Sequence, residues 1–109
     1  VTVPSNEPLE VWAAGTGMML VKREVFENLK DKVPSYFNDV GDTSGSMKPG
    51  EEIHEFFGLS IDPVTRRLLS EDYHFCKIAR KKGIKIWAAP WAHLKHCGSY
   101  IFDGSLMSA

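Results

Sequence analysis

The longest run of small and apolar positions is Val11 to Val21, which reads Val-Trp-Ala-Ala-Gly-Thr-Gly-Met-Met-Leu-Val. It predicts a buried strand, with a glycine-permitted kink or a close backbone approach at Gly15 and Gly17. In the following stretch, Lys22 to Lys32, Val25, Phe26 and Leu29 are continued by Val33, at spacings of one, four and eight, while Lys22, Glu24, Glu27 and Lys30 fall on the other side. One stripe faces inward and the charges stay wet, so this is an amphipathic helix, ended near Pro34. Residues 38–51 are rich in Gly, Ser, Asp and Pro with almost nothing to bury, and read as a long flexible loop, a lid or simple slack. Ile53 to Leu59 is apolar around Phe56-Phe57 and reads as a short strand before the turn at Asp62-Pro63.

A second helix begins at Ser70. Its hydroxyl suits an N-cap, and Glu71 and Asp72 suit the positive end of the helix dipole. Phe75, Cys76 and Ala79 form the inward face, and Arg80-Lys81-Lys82 before Gly83 is a C-terminal charge pattern followed by a left-handed stop. Ile84 to Ala89 then alternates as a strand with Ile84, Ile86 and Ala88 on one face, and Pro90-Trp91 turns the chain toward Ala92 to His96. The expected fold class is α/β, a small mixed sheet flanked by two main helices.

Composition narrows the function. A chain of 109 residues, 43% hydrophobic and 11% aromatic, can bury one modest core, so residues 1–109 are read as a single domain. Thirteen basic and 14 acidic residues give a net charge of -1, which excludes the broad positive field that gathers nucleic acid or an anionic membrane. The apolar runs fall short of the roughly 20 residues of a membrane span, and no secretory signal is visible. Two cysteines, Cys76 and Cys97, match the sparse usage of a reducing compartment, so a cytoplasmic location is expected, and a disulfide between them would need an oxidising one. The chain opens Val1-Thr2-Val3-Pro4 without an initiator methionine, as a fragment or processed product would.

The candidate chemistry lies at Ser70-Glu71-Asp72-Tyr73. Acids in the first turn of a capped helix stabilise it by a few tenths of a kcal/mol to about 1 kcal/mol without any reaction. A carboxylate fixed at a helix start and projecting into a cleft can also accept a proton from an alcohol. The run Leu69-Ser70-Glu71-Asp72-Tyr73-His74-Phe75-Cys76, followed by a basic helix, a glycine and an Ile-Trp strand, resembles the acidic-pair helix start of GT-A glycosyltransferases of the family 2 kind. The similarity spans roughly Trp12 to Leu106 and includes Ala14-Gly15-Thr16-Gly17-Met18-Met19-Leu20, similar to the segment lining the donor and acceptor cleft, and His96-Cys97-Gly98, similar to a late His-x-Gly.

The resemblance implies a partial GT-A fold and transfer of a sugar from a nucleotide-diphospho sugar to an alcohol acceptor, with inversion. It implies Asp72 as the base, Glu71 and the backbone of Gly15, Thr16 and Gly17 as acceptor contacts, and His96 as a ligand of Mg or Mn carried on the nucleotide diphosphate. The chain contains no Asp-x-Asp. The resemblance then implies the C-terminal, acceptor-side portion of a longer enzyme whose N-terminal donor-binding half is missing, or a piece that works with a partner, with little activity expected of it alone and self-association expected through exposed apolar surface.

Other assignments stay open. Trp12, Trp87 and Trp91 suit sugar faces as well as core or rim packing, and Trp91, after Pro90 in a turn, is the one expected to be exposed. Arg66-Arg67 and Arg80-Lys81-Lys82 can touch phosphate, although the second run also reads as a solvated helix end. His74, Cys76, His93, His96 and Cys97 place five zinc-capable side chains within 24 residues, at a spacing that is not a standard finger or ribbon. The alternative function is thus a non-catalytic binding or assembly domain, zinc-stabilised in one version, with its acids as helix caps.

Overall fold

The computed structural model describes residues 6–39 and 48–105, the side chain of Phe102 excepted. Residues 40–47 of the predicted 38–51 loop, Val1 to Pro4 and Leu106 lie outside the described residues. The architecture mixes α and β: β1 (Leu9–Val11), α1 (Arg23–Leu29, extended by a 3-10 turn at Lys30–Lys32), β2 (Ser35–Phe37), β3 (Glu52–His54), β4 (Ser60–Ile61), β5 (Leu68–Leu69), α2 (Glu71–Lys81), β6 (Ile86–Ala88), β7 (Leu94–Cys97) and β8 (Ile101–Gly104).

The expected single mixed sheet is not formed. The described strands make four two-stranded antiparallel sheets, β1 with β6, β2 with β3, β4 with β5 and β7 with β8. Three are local hairpins, and the fourth sets Leu9 opposite Ala88 and Val11 opposite Ile86. The strands are two to four residues long.

Both helices form where the apolar stripes place them. Leu29 of α1 and Phe75, Cys76 and Ala79 of α2 are buried, with Met19, Val21, Val25, Phe26, Phe56, Ile78 and Ile84 packed around them. Aromatic rings fill the space between the helices: Phe57 stacks on Phe75 with centroids 4.5 Å apart, and Phe26 meets Phe56 edge-on at 5.0 Å. This packing explains why the strand expected over Ile53 to Leu59 stops at His54. Phe56 leaves the strand to pack against Phe26, while Phe57, still 43% exposed, stacks on Phe75 at the margin of the core.

The helix-stop reading of Gly83 is seen directly. Gly83 has φ of 79°, its N–H reaches the Arg80 carbonyl at 2.9 Å, and the Ile84 N–H reaches the Ala79 carbonyl at 3.1 Å. Two orphan carbonyls of the last turn are thereby satisfied in a Schellman closure. The alternation after it also holds, with Ile84, Ile86 and Ala88 half-buried and Lys85, Trp87 and Ala89 exposed.

The predicted buried strand over Val11 to Val21 is corrected to three residues of strand, Leu9–Val11, followed by an irregular segment. Trp12, Met18 and Leu20 of that segment are exposed. Its backbone leaves the sheet because it is drawn to α2 by side-chain bonds described below. The ends of the 38–51 loop are clamped as well: the Asn38 N–H donates to the Glu51 carbonyl at 2.8 Å, and the Asn38 side-chain amide donates to the Lys48 carbonyl at 3.1 Å, closing the β2–β3 hairpin.

The Cα radius of gyration is 17.1 Å, against about 13 Å for a compact chain of this length. The elements share a thin core and leave much apolar surface outward. No helix among the described residues is long and apolar enough to cross a membrane.

Candidate functional site

The first turn of α2 sets the site. Ser70 is in the extended conformation of an N-cap, but its hydroxyl makes no capping bond, and its contribution is the carbonyl that accepts the His74 N–H at 2.8 Å. Asp72 precedes Phe75, Cys76 and Ala79 by three, four and seven residues, which places it at the end of the buried stripe. It is half-buried, whereas Glu71 is exposed.

Thr16 stands beside Asp72. The Thr16 N–H donates to Asp72 Oδ2 at 3.2 Å, and the Thr16 hydroxyl donates to Asp72 Oδ1 at 2.6 Å. One turn further along α2, the Cys76 thiol points to the Ala14 carbonyl, 3.7 Å away. The glycine segment and the acidic helix start, separate features of the chain 56 residues apart, thus form one structure. The sequence reads Cys76 as core packing, a zinc-capable side chain or half of a disulfide, and its role as a second tie carries no signature there.

Gly15 lies against Asp72, since a Cβ built there would stand 3.6 Å from Asp72 Oδ2, an ordinary contact, and one built at Gly17 would meet nothing within 4 Å. Neither has a positive φ. Packing within this chain therefore does not require glycine at either position.

His93 and His96 lie at the C-terminal hairpin. His96 is on β7, opposite Phe102 of β8. His93 contacts Asp103 of the same hairpin, and Lys95 stands 3.8 Å from the other oxygen of that carboxylate. Asp72 has Thr16 as its partner, and the imidazole of His96 belongs to a different element. Trp91 is exposed in the turn after Pro90, which is itself buried, but Trp12 and Trp87 are exposed as well, so exposure does not single Trp91 out.

The zinc constellation is not assembled. Cys76 is buried and Cys97 exposed, both as free thiols, and His74 Nδ1 is 2.8 Å from the Ser60 hydroxyl. Among the described residues no three His, Cys, Asp or Glu side chains gather at metal-binding distance. His74 is held below its ordinary value by burial and, less strongly, by the charge of Lys77, with Glu55 opposing.

A neighbouring edge of α2 carries a second group of polar residues. Asp62 Oδ1 accepts the Val64 and Thr65 amides at 2.8 and 2.9 Å, and Lys77 donates to Asp62 Oδ2 at 3.0 Å. The Thr65 amide, Lys77 and the Val64 amide, in that order, hold the Asp62 carboxyl well below the usual carboxylate range. Arg80 lies over the Trp12 ring, 4.0 Å from its centroid.

No known protein family, curated relative or solved structure matches this chain.

Proposed function

We propose that the chain is the acceptor-side part of a glycosyltransferase that moves a sugar from a nucleotide-diphospho sugar to an alcohol. The observation that carries the proposal is the pair of bonds from Thr16 to Asp72. It joins the Gly15-Thr16-Gly17 segment to the acidic helix start, the two features whose resemblance to GT-A enzymes implies this chemistry.

A carboxylate offers about four acceptor positions. Thr16 takes two of them, which aims the group and leaves the others for an acceptor hydroxyl. In the proposed reaction that hydroxyl gives its proton to Asp72 while its oxygen bonds to the anomeric carbon. The bond from that carbon to the diphosphate breaks, and its electron pair leaves with the diphosphate, so the centre inverts. Glu71 and the backbone at Gly15 and Gly17 orient the acceptor, and Trp91 offers a ring face for a sugar. His96 supplies one donor and the described residues form no metal cage. A Mg or Mn ion would have to arrive with the nucleotide diphosphate, where its chemistry is to neutralise the leaving group.

The thin core and the exposed Trp12, Met18 and Leu20 support a missing donor-binding half or a second copy covering that surface. The test is nucleoside diphosphate release by the chain joined to its donor-binding half, across nucleotide-diphospho sugars and hydroxyl acceptors. Acceptor-dependent release with a subset of donors is expected. No release across the panel contradicts the proposal.

The engagement of both Asp72 oxygens by Thr16 also favours a second reading, in which the bonds are a structural latch in a non-catalytic assembly domain. Self-association of the purified chain without any nucleotide-sugar turnover by the joined protein would favour it.

A further inference from the structure

A cleft of about 380 Å³ lies along the outer edge of α2, lined by Trp12, Asp62, Leu69, Tyr73, Lys77, Arg80 and Lys81. Its size falls within the range of small-ligand sites. Lys77, Arg80 and Lys81 recur at three- and four-residue spacing, so one helix edge presents all three cations. Asp62 is the one carboxylate among the lining residues, and Lys77 is bonded to it at 3.0 Å. Glu10 faces Arg80 from an adjoining hollow of about 230 Å³, and Lys85 stands 3.8 Å from it.

Arg80 is the distinctive group. Its guanidinium carbon stands over the Trp12 ring, 4.0 Å from the centroid, its Nε is buried without a hydrogen-bond partner, and no carboxylate pairs with it among the described residues. Arg80 as a whole is half-buried, so its guanidinium is held against the Trp12 ring without an anion partner of its own. Three cations against one carboxylate leave two positive charges in the cleft, and the rings of Trp12 and Tyr73 border it. The planar guanidinium suits phosphate oxygens two at a time.

We propose that this cleft binds a phosphate-bearing small molecule whose ring rests against Trp12 or Tyr73, with Arg80 and Lys81 holding the phosphate. The site is distinct from the Thr16–Asp72 contact and does not depend on the glycosyl-transfer reading.

Calorimetric titration of the 109-residue chain with phenyl phosphate and with inorganic phosphate tests it. Saturable binding is expected, tighter for phenyl phosphate and weakened by salt. Arg80→Gln should weaken it about tenfold to a hundredfold, and Lys81→Gln, at an exposed position, should weaken it several-fold without loss of the folded circular dichroism signal. Lys30→Gln, which removes the same charge on α1, should leave it unchanged. The proposal is overturned if neither phosphate binds saturably, if Lys30→Gln weakens binding as much as Arg80→Gln, or if the chain sediments with phosphatidic acid vesicles yet ignores phenyl phosphate.

Discussion

Replacing Thr16 by valine keeps the side-chain volume and removes the 2.6 Å hydroxyl bond to Asp72. A hydrogen bond to a charged group contributes about 1.5–3 kcal/mol. Both residues are half-buried, so the lower end of that range applies and the expected cost is about 1.5 kcal/mol, or a melting temperature lower by roughly 6–10 °C. Asp72→Ala also removes the partner of the Thr16 amide and should cost about 2–3 kcal/mol. Because the two changes delete the same hydroxyl bond, the double variant should be less destabilised than the sum of the single ones, by about 1–1.5 kcal/mol. Urea denaturation of the four proteins reads this coupling directly. Additivity within about 0.3 kcal/mol would show that the two side chains do not meet, and the site built on them would fall.

Three further outcomes follow from the same geometry. Gly15→Ala should leave stability within about 0.5 kcal/mol, since the new Cβ makes an ordinary contact, yet lower the turnover of the joined protein if substrate approaches that backbone; a loss of stability without a loss of turnover contradicts this. His74 is held below 6.5 by burial, so the unfolded chain binds its proton first as pH falls: the stability it contributes is complete above about 6.5 and declines as pH drops below that value. The drop in urea midpoint between pH 7.5 and 5 should therefore shrink in His74→Gln, and an unchanged drop would refute the assignment. Gly83→Ala should cost about 1 kcal/mol, because Gly83 is in the left-handed region at the end of α2; thermal melting at or above the wild-type temperature would be evidence against the closure.

The helices were legible because their information is local. In α2 the stripe Phe75, Cys76 and Ala79 and the stop at Gly83 lie within nine residues, and each is a short-range physical requirement. The β1–β6 sheet was not, because β1 finds its partner across most of the chain, and the apolar content of Val11 to Val21 says nothing of which neighbour is within reach. Phe56 and Phe57 misled for a related reason: a strand and an irregular pair of rings have the same composition, and only the presence of Phe26 and Phe75 decides between them. The site was half legible. Asp72 and the Gly-Thr-Gly segment each carried a local signature, but their union through Thr16 is a tertiary event. The basic residues of α2 looked like a solvated helix end, and the arrival of Trp12 over Arg80 gave them a cleft.

The measurement that bears most directly on the proposed base is the turnover of Asp72→Asn in the protein joined to its donor-binding half, alongside its affinity for the nucleotide sugar. A carboxylate that removes the acceptor proton should take at least about a hundredfold of kcat with it, while donor affinity stays within a factor of about two. Turnover retained within about tenfold, or donor affinity lost as steeply as turnover, would contradict the role assigned to Asp72.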